Sequence, residues 1–254
     1  MIDIHCHILP GVDDGPETIE ESVIMAREAI NEGINTIIAT PHHRNNKYIN
    51  TKNSILANVK ELNDQLIKEN IPLKILPGQE VRIFGEVLDE YRNGEILTLS
   101  QTKYIFIEFP TSSVPRYAEK LLYLLQTEGL IPIIVHPERN KELMEKPLIL
   151  YNLVKNGALT QVTAASLAGY FGKSIKKFSE QMIENNLTHF IASDAHNTHN
   201  RSFKLREAYE IVEANFGIEY KYLFMENSEA LIENELITKE VPEQIKRKKI
   251  LGIF

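Results

Sequence analysis

Short runs rich in β-branched and aliphatic residues alternate along the chain with longer polar stretches whose apolar positions recur every three or four residues. The runs are IDIHCH, TIIATPHH, LKILPGQEV, YIFIEF, IPIIVHPER, LTQVTA and HFIASDAH, and each predicts a strand. The stretches between them predict helices. In ETIEESVIMAREAINEG, Ile19, Val23, Ala26 and Ile30 fall on one helical face and Gly33 supplies the stop. KNSILANVKELNDQLIKEN, RYAEKLLYLLQTEG, SIKKFSEQMIENN and RSFKLREAYEIVEANFG read the same way. Strands alternating with helices imply a parallel sheet. Seven such units over this length fit a closed or nearly closed α/β barrel of the TIM type, distorted from eight units to seven, better than an open sheet. Alternation alone also permits a doubly wound fold.

Composition narrows the class without naming a chemistry. A hydrophobic share of 43% and a charged share of 25% belong to an ordinary chain with a sizeable core. No linker or low-complexity tract divides the 254 residues, so a single domain over 1–254 is expected. The stretch from about 240 to 254 forms a tail, with basic residues from Lys246 to Lys249 before an apolar tip. A solvated last turn is the ordinary reading of that tail, and contact with a membrane or partner the rarer one. No apolar run approaches the roughly 18 residues of a membrane helix, and no signal peptide opens the chain, so a cytoplasmic location is expected. One cysteine cannot form an internal disulfide. The net charge of -7 argues against general nucleic-acid binding, and an anionic substrate would need local positive charge.

The main signal lies where the strands end. His5 and His7, His42, Glu80, Glu108, His136, and Asp194 with His196 stand at or just beyond the carboxyl ends of predicted strands. In a parallel barrel those ends converge on the face that carries active sites. His5 and His7 are two apart, so both point to one side while Cys6 points to the other. Asp194 and His196 repeat that spacing around Ala195. Imidazoles and carboxylates together suit manganese, zinc or iron, and the lack of a cysteine cluster argues against a structural zinc site. A thiol route fails on spacing: a cysteine phosphatase needs Cys-x5-Arg, and Val12 stands at the arginine position. Cys6 reads as a small buried apolar residue.

Each candidate has a bland alternative. His189 and His199 stand alone and are left out as ordinary hydrogen-bonded histidines. His42 and His43 are adjacent, so at most one of them faces the site, and His43 is the second choice. Glu80 and Glu108 could be salt-bridged strand ends, and Asp13 and Asp14 could form a turn, with Asp14 or a neighbour capping the helix after Pro16. Jointly these alternatives do not account for so many ligand-type residues at strand ends.

MIDIHCHILPGVDDGP, TPHH, PGQEVR, VHPER and SDAHN, taken in order, resemble the polymerase and histidinol phosphatase (PHP) superfamily, whose HxH signature stands here as His5-Cys6-His7. More closely they resemble its manganese-dependent protein-tyrosine phosphatases of the CpsB/YwqE type, found in Gram-positive bacteria beside capsule or exopolysaccharide tyrosine kinases. The resemblance runs over nearly the whole chain. It implies a distorted barrel with three metal ions, Mn2+ first among divalent candidates. One ion would take His5, His7, Glu80 and Asp194, a second Glu80, Glu108 and His136, and a third Asp14, His42 and His196. Histidines are common in other branches where Asp14 and Glu108 stand here, a departure toward harder ligands that suits manganese.

Three divalent ions bring about +6 and the four carboxylates about -4, which leaves a site of roughly +2 able to hold phosphate. A metal-activated water would be the nucleophile. Arg139, just past the fifth strand, and Arg201, at the start of the helix after SDAH, are candidates to stabilise the transferring phosphoryl group, with Arg206 as a second choice a turn deeper. Tyrosine leaves as a phenolate whose parent acid has a pKa of about 10, against a much less acidic serine alkoxide, so strong general-acid help is less necessary. The resemblance implies phosphotyrosine proteins as partners, among them a bacterial tyrosine kinase and its tail. A histidinol-phosphate phosphatase, a metal-dependent nuclease and a non-catalytic kinase-binding adaptor are the competing readings.

Overall fold

In a computed structural model of the chain, residues 1–246 are described; of the basic cluster at the tail only Lys246 falls among them, and the apolar tip lies outside. The strands are all parallel and form two sheets. One contains β1 (Ile2–Cys6), β2 (Thr36–Ala39) and β4 (Lys74–Pro77), in the order β1-β2-β4. The other runs β3-β5-β6-β7-β8-β9, with β3 (His42–His43), β5 (Glu80–Arg82), β6 (Tyr104–Glu108), β7 (Ile131–Val135), β8 (Leu159–Thr163) and β9 (Phe190–Ala192). The α/β class and parallel sheets agree with the sequence pattern.

Two of the seven expected strands are broken, and the breaks are where the chain passes from one sheet to the other. TIIATPHH gives β2 and then β3; LKILPGQEV gives β4 and then β5. Pro41 has no N–H to continue the first ladder. Gly78 sits where the second crossing is tightest: a Cβ there would lie 2.6 Å from Ile38 Cγ2 and 3.0 Å from Leu99 Cδ2. Among the described residues no continuous ladder closes the strands into a ring. β1 meets the end of β9 at one bridge, Cys6 to Ala195. Beside that bridge the buried Asp3 carboxylate accepts the Ser193 backbone N–H at 2.9 Å and its hydroxyl at 2.5 Å, fastening the two edges where a ladder is missing.

The expected helices form as α1 (Ile19–Glu32), α2 (Lys52–Lys68), α4 (Ala118–Thr127), α8 (Lys173–Glu184) and α9 (Leu205–Phe216). Thr18 caps α1, accepting the Glu21 N–H, so the cap is neither Asp14 nor its immediate neighbour; Gly33 ends the helix at φ 86° as expected. Shorter helices α3 (Val87–Arg92), α5 (Lys141–Glu145), α6 (Pro147–Lys155) and α7 (Ala164–Ala168) fill connections. The long α10 (Ile218–Ile232) has no clear apolar stripe, because its buried face consists of Phe224, Asn227, Ser228 and Leu231. Two of those four are polar. Asn227 earns its burial by donating to the His189 carbonyl at 3.0 Å and accepting from the Thr238 N–H at 3.0 Å.

A small apolar cluster made mostly of strand residues, including Ile4, Ile38, Tyr104, Phe106, Ile133 and Phe190, is distinct from the larger core formed by helices and strands. His189 is buried with its Nδ1 accepting the Thr160 N–H at 3.1 Å, as a structural histidine should be. Burial, helped by the charge of Lys239, lowers its pKa to about 3. The unfolded chain, titrating at about 6.5, therefore binds the proton more readily. Stability from this residue is complete above pH 6.5 and falls by about 1.4 kcal/mol per unit as the pH drops toward 3. His189→Asn, which keeps an acceptor there, should flatten the loss of urea stability between pH 7 and pH 4.5; an unchanged slope would exclude His189 as its source.

Candidate metal centre

The carboxyl ends of the strands build the site, but simple alternation along β1 would not have built it. The pairing of β1 with β2 runs Asp3 to Ile37 and then Cys6 to Ala39, so β1 carries one extra residue between those points. This bulge lets two neighbours face the same way: Ile4 joins the cluster containing Phe106, and the His5 ring lies 4.9 Å from the Phe106 ring. Cys6 then faces the main core and His7 returns to the site. Cys6 is fully buried, and burial pushes its thiol well up, so it is no nucleophile.

Glu80, the first residue of β5, is the centre of the constellation. Its Oε2 lies 3.6 Å from His5 Nε2, 3.2 Å from His7 Nε2 and 2.7 Å from His42 Nδ1, while Oε1 is 2.8 Å from His136 Nε2. Asp194 Oδ1 stands 3.5 Å from His5 Nε2 and 3.4 Å from His7 Nε2. Glu108 Oε2 is 3.8 Å from His42 Nδ1. On the outer side Asp14 Oδ1 is 3.4 Å from His42 Nε2 and 3.3 Å from His196 Nε2. All nine residues expected at the site are thus brought together.

Asp194 and His196 arrive differently from the expectation. β9 ends at Ala192, and Asp194 has φ 54°, so a turn and not an alternating strand delivers the pair. His136, at φ 36°, is also left-handed. Such conformations in non-glycine residues cost about 1–3 kcal/mol and persist where surrounding structure enforces them. The backbone enforces these two: Asp194 N–H donates to the His5 carbonyl and His136 N–H to that of Gln161, both at 2.8 Å.

The donor set fits divalent cations. Three groupings bring ligand atoms within 4.8 Å of one another: His5, His7 and Glu80; His42, Glu80 and Glu108; and His7, Asp14, His42 and His196. Within them His42 Nδ1, Glu80 Oε2, Glu108 Oε2 and His196 Nε2 are buried and, although close to one another or to Asp14, meet no partner at hydrogen-bonding angles. Polar atoms so placed need a partner. The groupings differ from the expected sharing in three respects, since Asp194 falls outside the His5, His7 and Glu80 group, His7 also reaches the Asp14 group, and His42, not His136, stands with Glu80 and Glu108.

The charges show the same demand for cations. Burial disfavours the charged forms of Glu80 and Asp194, yet His42 and His5 for Glu80, and Arg139 and His5 for Asp194, hold both carboxyls well below the usual range. Burial is likewise outweighed at His42, which Glu80 raises to about 10. Glu108 is driven the other way, to about 7, by burial and the charge of Glu80. His136 and His196 fall to about 4, each mainly through burial, with Arg139 adding at His136 and His7 at His196. Carboxylates crowd together here and recruit whatever positive charge is near.

A cavity of about 210 Å³ opens over this cluster, reaching His42, Glu108, His136, Arg139, Asp194 and Arg201, with Phe109, Val135 and Pro137 as an apolar wall. Arg139 Nη2 donates to Asp194 Oδ2 at 2.6 Å, and Arg201 Nη1 to Asp14 Oδ2 at 2.9 Å. Arg201 lies in a turn four residues before α9, so it reaches the site from a loop and not from a helix start. Two second choices are not brought in. His43 Nε2 instead pairs with Glu90 at 3.2 Å. Arg206 donates to the Asn31 and Glu32 carbonyls at the end of α1, and its guanidinium lies with Met1 beside Gly33, at the opposite end of β1 from His7.

Residues 1–233 match the family model for capsular polysaccharide synthesis, CpsB/CapC. The chain belongs to the CpsB/CapC family. It is 52% identical over 254 residues to the tyrosine-protein phosphatase YwqE of Bacillus subtilis, with both chains covered in full. It is 40% identical over 255 residues, again covering both, to a putative tyrosine-protein phosphatase CapC of Staphylococcus aureus. A solved structure from the work on YwqE and on CpsB of Streptococcus pneumoniae, described as unique metal-dependent tyrosine phosphatases, superposes with a TM-score of 0.95 at 52% identity, over 97% of this chain and 100% of that one. An organophosphorus hydrolase from Deinococcus radiodurans, 13% identical at a TM-score of 0.52 over 91% of both chains, shares the fold alone.

Around this CpsB/CapC site stand three residues that sequence reading did not single out for it. Asp13 Oδ2 lies 2.7 Å from His7 Nδ1 and also accepts the His42 backbone N–H at 3.1 Å. Gln161 Oε1 is 2.9 Å from His5 Nδ1, and Arg82 Nη2 is 3.0 Å from Glu108 Oε1. Carboxylate or amide partners of this kind fix the tautomer and orientation of a ligating imidazole. Asp13 carried a signal, since it adjoins Asp14 in GVDDGP, whereas Gln161 and Arg82 carried none without the register of β8 and β5. Asp13→Asn should weaken metal binding about 10–100-fold, read by titration of the stripped protein with manganese. Unchanged affinity would show that Asp13 does not orient His7.

Proposed function

We propose that this chain is a metal-dependent tyrosine-protein phosphatase that acts on phosphotyrosine proteins in capsule or exopolysaccharide synthesis. The observation that carries the reading is the joint convergence of His5, His7, Asp14, His42, Glu80, Glu108, His136, Asp194 and His196 beneath a cavity bordered by Arg139 and Arg201. Identity to YwqE over the full length supports it.

The proposed ligands are His5, His7, Glu80 and Asp194 for one ion, Glu80, Glu108 and His136 for a second, and Asp14, His42 and His196 for a third, with Mn2+ as the ion. A bridging role for Glu80 is supported by imidazoles on both of its oxygens. Mixed carboxylate and imidazole ligands suit manganese. When bound, these ions supply Lewis acidity and a nucleophilic water at neutral pH. The chain's own part is electrostatic. Arg139 and Arg201 bind the phosphoryl oxygens and neutralise the charge that grows on them, while the apolar wall of Phe109 and Pro137 limits water in the cavity. The leaving phenolate needs little protonation because its parent acid has a pKa of about 10.

A distorted seven-unit barrel of the PHP type is the architecture we propose around this site, supported by the Cys6 to Ala195 bridge and the Asp3–Ser193 clasp that draw β1 to β9. A cytoplasmic setting beside a tyrosine kinase completes the proposal; a single buried thiol and the absence of any described helix long and apolar enough to cross a membrane agree with it. The test is phosphate release by chelator-stripped protein given back manganese, magnesium or zinc, on a phosphotyrosine peptide and on histidinol phosphate in parallel. Manganese-restored turnover of the peptide is expected. Preference for histidinol phosphate would refute the tyrosine-phosphatase reading, and no turnover with any metal would leave a binding protein.

A further inference from the structure

The segment Arg44–Asn50 follows His42 and His43 directly and stands at the rim of the site, yet nothing in the phosphoryl chemistry above uses it. It is a built turn. Arg44 and Asn46 take φ 62° and 73°. The Asn45 side-chain oxygen accepts the N–H groups of Lys47 at 3.2 Å and Tyr48 at 2.9 Å, and the Arg44 N–H returns to the Tyr48 carbonyl at 2.9 Å. Both ends are anchored. Arg44 pairs with Glu90, and the Asn50 side chain donates to the carbonyls of Val12 at 3.0 Å and His42 at 2.8 Å. The turn is therefore locked to the two segments that carry Asp14 and His42.

What the turn presents is one aromatic ring and one cation. Tyr48 is half-buried, and its ring plane lies within 5° of the His42 ring with centroids 6.3 Å apart. Lys47 is exposed and holds its ammonium 4.6 Å from the Tyr48 ring centroid. Among the described residues no carboxylate comes within ion-pair distance of that ammonium. His42 lines the cavity and Tyr48 stands behind it, so an organic group leaving a seated phosphate on the His42 side passes this edge. A flat ring emerging there meets the Tyr48 face, and an acidic side chain beside it meets Lys47.

We propose that Tyr48 and Lys47 are specificity-determining residues: Tyr48 packs against the aryl ring of the phosphorylated residue, and Lys47 attracts an acidic side chain adjacent to it in the peptide. This rests on the phosphotyrosine reading of the site but has a binding readout of its own. Offset aromatic pairs and cation–anion contacts at exposed edges are of modest strength, so each effect is about tenfold or less.

The experiment measures binding of non-hydrolysable phosphonates to the manganese-loaded protein by calorimetry, with bound metal counted in every variant. The probes are a peptide carrying an aryl phosphonate between acidic residues, the same peptide with neutral flanks, and one carrying an alkyl phosphonate. Tyr48→Ala is expected to weaken both aryl peptides about tenfold and the alkyl peptide not at all, and Tyr48→Phe to bind like the parent. Lys47→Ala should weaken only the acidic peptide and reduce its salt dependence to that of the peptide with neutral flanks. An equal loss on aryl and alkyl probes, a loss of metal, or no change in any variant would overturn the proposal; the first two would make Tyr48 a positioning residue for His42. If the parent protein failed to hydrolyse phosphotyrosine yet showed this aryl selectivity, the recognition edge would stand and the catalytic reading would fall.

Discussion

Glu80→Gln is expected to strip metal from the protein and to lower phosphate release from a phosphotyrosine peptide by about a thousandfold or more. The substitution keeps the shape of the side chain and removes its charge. In the parent, one Glu80 oxygen faces three imidazoles and the other faces His136, so a single carboxylate serves most of the ligand set. An amide has one acceptor oxygen and an NH2 group that repels a cation. Charge stabilisation by a metal ion is worth several kcal/mol, and each 1.36 kcal/mol is a factor of ten in rate. Metal content by elemental analysis and turnover at saturating manganese should fall together, with the thermal transition still cooperative. Retained metal with retained turnover would overturn the central place given to Glu80.

Arg139→Ala is the second large effect, and it should separate from the first because metal stays. The guanidinium is held from both sides: Nη2 donates to Asp194 at 2.6 Å, and the Phe171 ring centre lies 5.5 Å from its Cζ. Burial disfavours its charge, but Asp194 and Glu138 more than restore it and raise its pKa. A planar fork so fixed is pre-organised for two phosphoryl oxygens. Removing one pre-organised donor group from a developing anion costs about a hundredfold to a thousandfold in turnover. Arg139→Lys should recover only part of this, since a point charge replaces the fork. An alanine variant as active as the parent, with normal metal content, would move the phosphate-binding role to Arg201.

Much of this protein is legible in its residues. Apolar periodicity gives the strands and the five main helices, because burial of a face imposes that period whatever the neighbours are. Placing ligand-type residues at strand ends gives eight members of the cluster, because parallel strands share one carboxyl end, and the family resemblance adds Asp14. Where sequence falls short, the missing quantity is a contact. α10 was hidden because Asn227 and Ser228 occupy its buried face: Asn227 makes sense there only beside the His189 and Thr238 backbone it serves, and Ser228 bonds back to the Phe224 carbonyl.

His43 and Arg206 were plausible by proximity in sequence, but each found a nearer partner, Glu90 for one and the carbonyl end of α1 for the other. The chain's own order of residues determines the strands, their shared direction and the ligand types they deliver. Only the tertiary structure decides the bulge that turns His5 beside Ile4, the left-handed turns at His136 and Asp194, and the partners Asp13, Gln161 and Arg82. The physical reason is range. Period and composition record what a residue must bury locally, whereas a ligand's aim depends on register and on hydrogen bonds to residues more than a hundred positions away, as between His5 and Gln161.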